Sequence, residues 1–300
     1  MTYLSTDFEA GFPAGLSNNH ISCGEGLNCP TACQVLESGG KTANGNVVTA
    51  HSGTRALVCS ATGLGGPKSS AVNRVDLYFG PDTCDTGSGP TGRAGITTIC
   101  NPAAAAPPLI ASWWEFEPQA SISNVIKGGR GGLSQQKFFL ARYTNSPGKL
   151  LPAWWMISYS AALEHVLALE DSGADAPPGI GSFDTGLPVN KFGGVWRRFV
   201  VRLEHDTGTG CGHAKLWMGT DDKPLTLVAD TDTRKPQGGC YKGFGTSDKG
   251  AQQQLQFGLV YLQGPSGGVD VFVDDICVAN SFDACGLSTL ASEPPQRSRR

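Results

Sequence analysis

The chain has 300 residues, 23 Lys and Arg against 26 Asp and Glu, and a formal net charge of −3. It offers no basic field for a polyanion, which argues against nucleic acid, and it has no apolar run of 18 residues that could cross a membrane as a helix. Only 16% of residues are charged while 41 are Gly, a balance that suits many short strands joined by turns, and the length suits one large β domain.

In chain order, MTYLSTDFEAGFPAG (1–15) has neither the basic start nor the apolar core of a signal peptide. The following segment carries Cys23, Cys29 and Cys33. TRALVCS (54–60) and NRVDLYFG (73–80) read as strands. Turn-rich stretches at 80–92 and 101–108 lead to ASWWEFEP (111–118), and GGRGG (128–132) separates it from QKFFLARY (136–143) and WWMISYS (154–160). AALEHVLALE (161–170) favours helix by propensity, but Leu163, His165, Leu167 and Leu169 alternate, so it is read as a strand. After the turn-rich 171–186 come VWRRFVVRLEHD (195–206), HAKLWMG (213–219), LTLVAD (225–230), LQFGLVYLQG (255–264) and VDVFVDDICVA (269–279). Ten or more such runs without alternating helices predict an all-β, two-sheet antiparallel sandwich over residues 1–285. Residues 286–300 read as an exposed tail, polar and basic at its end (ASEPPQRSRR).

Ten cysteines without a C-x-x-C pair or zinc-finger spacing point to disulfides and an oxidising setting. Hairpin ends and short loops bring Cα atoms within reach most easily, which pairs Cys84 with Cys100, Cys211 with Cys240, and Cys277 with Cys285. Cys23, Cys29, Cys33 and Cys59 make two more bridges of open connectivity.

Two Trp pairs, Trp113–Trp114 and Trp154–Trp155, should each put one indole in the core and one on the other side of a sheet, where it either serves as a platform for a sugar ring or, if that face is covered too, packs as core. Glu115 and Glu117 share one strand face, as a carboxylate pair for acid–base work on a glycosidic bond would, or as two solvated or ion-paired acids. Asp274 and Asp275 stand side by side in the middle of an otherwise apolar strand, where carboxylates need a partner.

TDFEAGFPAG, HSGTRALVCS, WRRFVVRLEHDTGTGCGHAKLWMGTDDKPL and LQFGLVYLQGPSGGVDVFVDDICVAN, in that order, resemble the concanavalin A-like lectin/glucanase jelly-roll superfamily, which includes laminin-G-like domains, carbohydrate-binding modules and polysaccharide lyases. The resemblance implies a jelly roll. It also implies a structural calcium ion held between Glu9 of DFEAG and Asp274 or Asp275 of VFVDDI, since a hard cation takes carboxylate and carbonyl oxygens. LVYLQG resembles the tyrosine strand of alginate lyases, which implies Tyr261 as a catalytic group, with Arg142 as the positive group and His165 or His205 as the base. The lyases' Arg-x-Glu-x-Arg and Gln-x-His patterns are missing. The sequence therefore reads first as a non-catalytic protein of surface recognition or self-assembly, with glycan or protein surfaces as partners, in an extracellular or virion setting. The alternative is a polysaccharide-degrading enzyme, a lyase before a hydrolase.

Overall fold

The computed structural model describes residues 1–13, 16–23, 33–62, 70–79, 98–99, 108–128, 134–146, 149–170, 183–204, 213–231 and 252–291. Two antiparallel sheets face each other. The first consists of β14 (Lys223–Asp230), β13 (His213–Thr220), β12 (Arg197–Glu204), β7 (Leu109–Phe116), β16 (Val269–Ala279), β4 (Arg55–Ala61) and β3 (Gln34–Glu37) in spatial order, and β1 (Thr2–Thr6) also pairs with β16. The second runs β11 (Phe183–Pro188), β10 (His165–Glu170), β9 (Lys149–Ser160), β8 (Gln135–Ser146), β15 (Gln252–Gln263), β5 (Ser70–Phe79) and β2 (Ser17–Cys23), with the short β6 (Thr98–Ile99) parallel to β5. This is the two-sheet antiparallel jelly-roll sandwich expected from the sequence.

Alternation along the strands makes the core. Ala111, Trp113, Phe199, Val201, Leu216, Val271 and Val273 of the first sheet meet Val75, Leu77, Phe139, Ala141, Ile157, Leu255 and Phe257 of the second. The Trp113 indole crosses the gap, stacked on Phe139 at 4.5 Å between centroids and on Phe199 at 5.4 Å. The stretch at 161–170 is a strand only from His165, after a turn at Ala161–Ala162.

One element departs from the sequence reading. Gln119–Gly128 is a helix, α1, where Ser, Asn, Ile and Val gave little helix propensity. Pro118 opens it, with its carbonyl accepting from Ser121 N–H, and Ile122 and Val125, three residues apart, drop into the core. Tertiary burial outweighs propensity here.

The packed chain also extends beyond residue 285. Leu287 and Leu290 are buried with Phe282 against Ile110, Val200 and Trp217 on the outer face of the first sheet, so the expected boundary falls at least five residues later. The tail at 292–300 lies outside the described residues.

Among the described residues two disulfides are formed, Cys33–Cys59 and Cys277–Cys285. The second is the expected pair, and the first settles part of the open connectivity. Cys23 lies on β2, and Cys29, Cys84, Cys100, Cys211 and Cys240 lie outside the described residues. Bridges of this kind belong to oxidising compartments. The two close segments of unequal length, with sequence separations of 26 and 8. Chain-entropy arguments therefore give the longer loop about 3.5 kcal/mol and the shorter about 2.5 kcal/mol. Urea titration of the Cys33→Ala/Cys59→Ala and Cys277→Ala/Cys285→Ala double variants is expected to show the larger loss for the first pair; the reverse order would mean that the packing of residues 282–290 dominates.

Candidate functional site

The paired acids in β16 are explained by what lies across the strand. Val269, Val271 and Val273 face the core, so Asp270 and Asp274 point to the outer face, where the segment from Lys41 to Arg55 crosses. Asp270 accepts from Thr42 Oγ1 (2.7 Å), Asn44 Nδ2 (2.8 Å) and Asn46 Nδ2 (2.7 Å). Asp274 accepts the backbone N–H groups of His51 (2.9 Å) and Ser52 (3.2 Å) on one oxygen and that of Asp275 (2.8 Å) on the other. In a regular strand Asp275 would turn to the core. A bulge in the β16–β7 pairing and a left-handed Asp275 (φ 49°) bring it to the same side, where it binds Ser52 Oγ at 2.7 Å and His51 Nδ1 at 2.8 Å. Burial is the main cause that lifts the Asp274 carboxyl to about 6, against the amide donors that lower it.

Glu9 holds the far end of the same segment. It accepts from Thr54 N–H and Arg55 N–H at 2.7 Å on one oxygen and from Thr54 Oγ1 at 2.8 Å on the other. Gly53, at φ +59°, leaves the room that the Glu9 carboxyl occupies, 2.5 Å from where a Cβ would stand, so a larger residue there would displace Glu9 from these donors. Five of the six oxygens of Glu9, Asp274 and Asp275 thus face N–H or O–H donors and the sixth faces a ring nitrogen of His51, and among the described residues no group of three or more His, Cys, Asp or Glu is arranged to hold a metal ion. The donor set does not fit the calcium implied by the resemblance. The three acids tie the chain ends through hydrogen bonds to one segment instead.

That segment shapes a pocket. His51 stacks on Trp114 at 3.7 Å between centroids and reaches Asp221 Oδ1 with Nε2 at 3.0 Å, fixing the β13–β14 turn. Arg198, across from Trp114 in β12, donates to Ser112 Oγ and lies over the indole at 5.9 Å from its centroid. An open pocket of ≈ 760 Å³ lies between Trp114, Arg198, Asp221, Asp222, Lys223 and the segment through Thr289.

Of the first Trp pair, alternation is as expected: Trp113 is core and cannot meet a ligand from solvent, while Trp114 lies on the outer face. Trp154 and Trp155 sit on β9 opposite Arg142 and Ala141, and their side chains, like that of Arg142, are outside the described ones.

Glu115 and Glu117 do share a face, but it is the core face, and each is only 1% exposed, neither solvated nor open to a polymer. Glu115 accepts from Trp113 Nε1 (3.0 Å), and burial together with the Glu117 charge raises its carboxyl well above the usual range. Glu117 is pushed up to about 8 by burial. Its surroundings suit the acid form: Tyr159 Oη stands 2.7 Å from Glu117 Oε2 and 2.8 Å from Gln136 Oε1, and Gln136 Nε2 donates to Glu117 Oε1 at 2.8 Å. A phenol has one proton and cannot donate to both oxygens. With Glu117 protonated, Glu117 donates to Tyr159, Tyr159 to Gln136, and Gln136 to Glu117, closing a ring of three hydrogen bonds.

The implied lyase residues converge only in part. Tyr261 lies on the outer face of the second sheet, its Oη donating to Gln263 Oε1 at 3.0 Å. Lys137 is opposite it on β8, with Nζ 5.2 Å from the ring centroid, and Gln135 Nε2 donates to Gln263 Oε1 at 3.4 Å. Ser158 follows opposite Lys137 on β9. His165 is on β10, three strands from Tyr261, roughly 14 Å at the spacing of a sheet. It is paired with Asp184 at 2.9 Å instead. His205 lies outside the described residues. Sequence reading passed over Lys137 and Gln135, which stand opposite Tyr261 and Gln263 of LVYLQG; the available signal was Gln135-x-Lys137, which offers an amide and a cation with the spacing of the absent Gln-x-His.

The sequence matches no protein-family model and no curated protein. Among solved structures, the chain is similar to an alginate lyase from a Chlorella virus (12% identity, TM-score 0.44, covering 83% of this chain and 93% of that one). It is also similar to peanut lectin bound to a nine-residue peptide (9%, 0.33, 83% and 97%) and to a lectin from Bauhinia forficata in complex with GalNAc (7%, 0.36, 93% and 98%). At these identities and TM-scores the likeness concerns the fold alone.

Two measurements check the site electrostatics. A carboxyl raised in the folded state gives stability that is complete below its unfolded value and is lost as pH rises through the folded one. For Glu117 that window runs from 4.5 to about 8. Wild-type melting temperature should therefore fall across this range, and Glu117→Gln, which supplies the missing donor to Tyr159 at every pH, should flatten the fall and melt no lower than wild type at the alkaline end. Equal slopes would show that the ring carries no proton. Separately, Asp274→Ala, which strands three backbone N–H groups, is expected to destabilise by at least about 2 kcal/mol, while chelator and added calcium leave the wild-type melting curve unchanged; a chelator-induced drop would restore the cation.

Proposed function

We propose that this protein acts on a uronate-bearing polysaccharide at the outer face of the second sheet, cleaving it by β-elimination. One observation carries the reading: the convergence of Tyr261, Lys137, Gln135 and Gln263 on adjacent strands of that face. Elimination removes the proton alpha to the uronate carboxyl, at C5. The C–H electrons form a C4=C5 double bond, and the C4–O4 pair leaves with the aglycone oxygen, which takes a proton. The difficult step is the first, because charge grows on the carboxylate as the C–H bond breaks. Lys137 supplies a cation, and the amides of Gln135 and Gln263 supply N–H donors, for that carboxylate. Tyr261 gives its phenolic proton to the departing O4 and takes the C5 proton on the same oxygen, on one side of the sugar, so that it ends protonated as it began. Rigid strands rather than loops position these groups, which favours a fixed geometry.

The likeness of fold to an alginate lyase and to lectins agrees with a carbohydrate ligand. A second reading, non-catalytic recognition or assembly, rests on the pocket beside Trp114, which has room for a ligand but no comparable set of groups for elimination.

The test is ultraviolet absorbance of the unsaturated uronate during incubation with alginate, glucuronan, pectate or heparin. A rise is expected with at least one polymer, falling by about 10²-fold or more in Tyr261→Phe and in Lys137→Ala, with the melting temperature retained. Polymer binding in affinity electrophoresis without any rise in absorbance would leave the recognition reading alone. Turnover unchanged in both variants would remove this site from the chemistry.

A further inference from the structure

We infer that the pocket on the outer face of the first sheet is a second carbohydrate site, for an uncharged pyranose oligosaccharide, independent of the chemistry proposed at Tyr261. Its size, ≈ 760 Å³, lies within the range of small-ligand pockets and admits two or three sugar rings. Its chemistry is mixed in the way that vicinal hydroxyls require: the carboxylates of Asp221 and Asp222 accept, Arg198, Lys223 and the Thr289 hydroxyl donate, and the Trp114 indole supplies an apolar wall. Two cations against two carboxylates leave no net field to select an anion, which separates this pocket from the Lys137 face.

The walls are held before any ligand arrives. His51 backs the Trp114 indole at 3.7 Å and is itself gripped by Asp275 at 2.8 Å and Asp221 at 3.0 Å. Arg198 is drawn toward Ser112 Oγ at 3.2 Å, and burial lowers its guanidinium from the usual value while Asp275 opposes that shift. Side chains ordered in advance lose less entropy on binding. His51 does not line the pocket. Its place behind the indole and under the β13–β14 turn makes it a positioning residue.

The experiment is calorimetric titration of the full chain with cellotriose, laminaritriose, mannotriose, maltotriose, xylotriose and N-acetylchitotriose, alongside a trimer of guluronate. Saturable binding of at least one neutral trimer is expected, weakened about tenfold in Trp114→Ala and several-fold in Asp222→Asn, an exposed turn residue whose change should leave the melting temperature alone. Tyr261→Phe should bind the neutral trimer as wild type does, which separates this site from the proposed elimination site. No neutral trimer binding at millimolar concentration, preference for the guluronate trimer, affinity unchanged in both Trp114→Ala and Asp222→Asn, or affinity lost in Tyr261→Phe would each overturn the inference.

Discussion

Three acids on the outer side of one central strand hold the segment on which both the first sheet's cover and its pocket depend. Asp270, Asp274 and Asp275 belong to β16, which pairs with β7 on one edge and with β4 and β1 on the other. Each is offset by donors from residues 42–52, and Glu9 after β1 takes the amides of Thr54 and Arg55. A carboxylate that accepts several backbone N–H groups meets its desolvation locally without needing a counter-ion. The left-handed backbone at Asp275 costs about 1 kcal/mol or more, and what it secures is a second carboxylate on the same side of the sheet as the first. Through His51, that arrangement extends to Trp114 and to the β13–β14 turn, some 50 residues away in sequence from β16.

The core has its own polar constraint, solved by a proton. Glu115 and Glu117 would repel each other as anions between two apolar sheets, and neither has a cation as its hydrogen-bond partner. A neutral Glu117 satisfies Tyr159 and Gln136 in one closed ring, so the pair works as hydrogen-bonding structure and not as acid and base. A glycosidase needs its two carboxyls at the substrate. Here they are sealed beneath it.

The sequence carried the strands, the sandwich and the split of Trp113 from Trp114, because alternation is a local property of the chain. It also said that Glu115 and Glu117 share a face. Which face lay beyond it: period two assigns parity, and Trp113, on the same parity and fully core, was the clue that the acids follow it inward. The helix at Gln119–Gly128 escaped because its stabilisation comes from burying Ile122 and Val125. Likewise DD in β16 signalled a partner without naming it. A bulge that changes parity at one residue, and a loop some 220 residues away supplying amide donors, are long-range facts that no window of sequence contains. Tyr261 was legible by resemblance, whereas Lys137 and Gln135 joined it only through the register of β8 against β15.

The two outer faces of the sandwich therefore carry different chemistry, and the reason lies in how each is covered. On the first sheet, residues 41–55 and 282–290 pack onto parts of the outer surface and border an open pocket, the shape that the short-ligand proposal needs. On the second sheet, the row Gln135, Lys137, Tyr261 and Gln263 lies along neighbouring strands and is only partly buried, which suits groups that must meet one sugar within a long chain. The elimination proposed here would need a cation and a proton-transferring oxygen on one side of a ring, and the antiparallel pairing of Gln-x-Lys with Tyr-x-Gln puts Lys137 and Tyr261 on one face because residues two apart on each strand share a face. A single-residue slip of β8 against β15 would bring Gln136, now a member of the buried ring with Glu117, to the surface and send Lys137 into the core. The proton-linked ring in the core and the polar row on the surface are in this way two faces of one strand register.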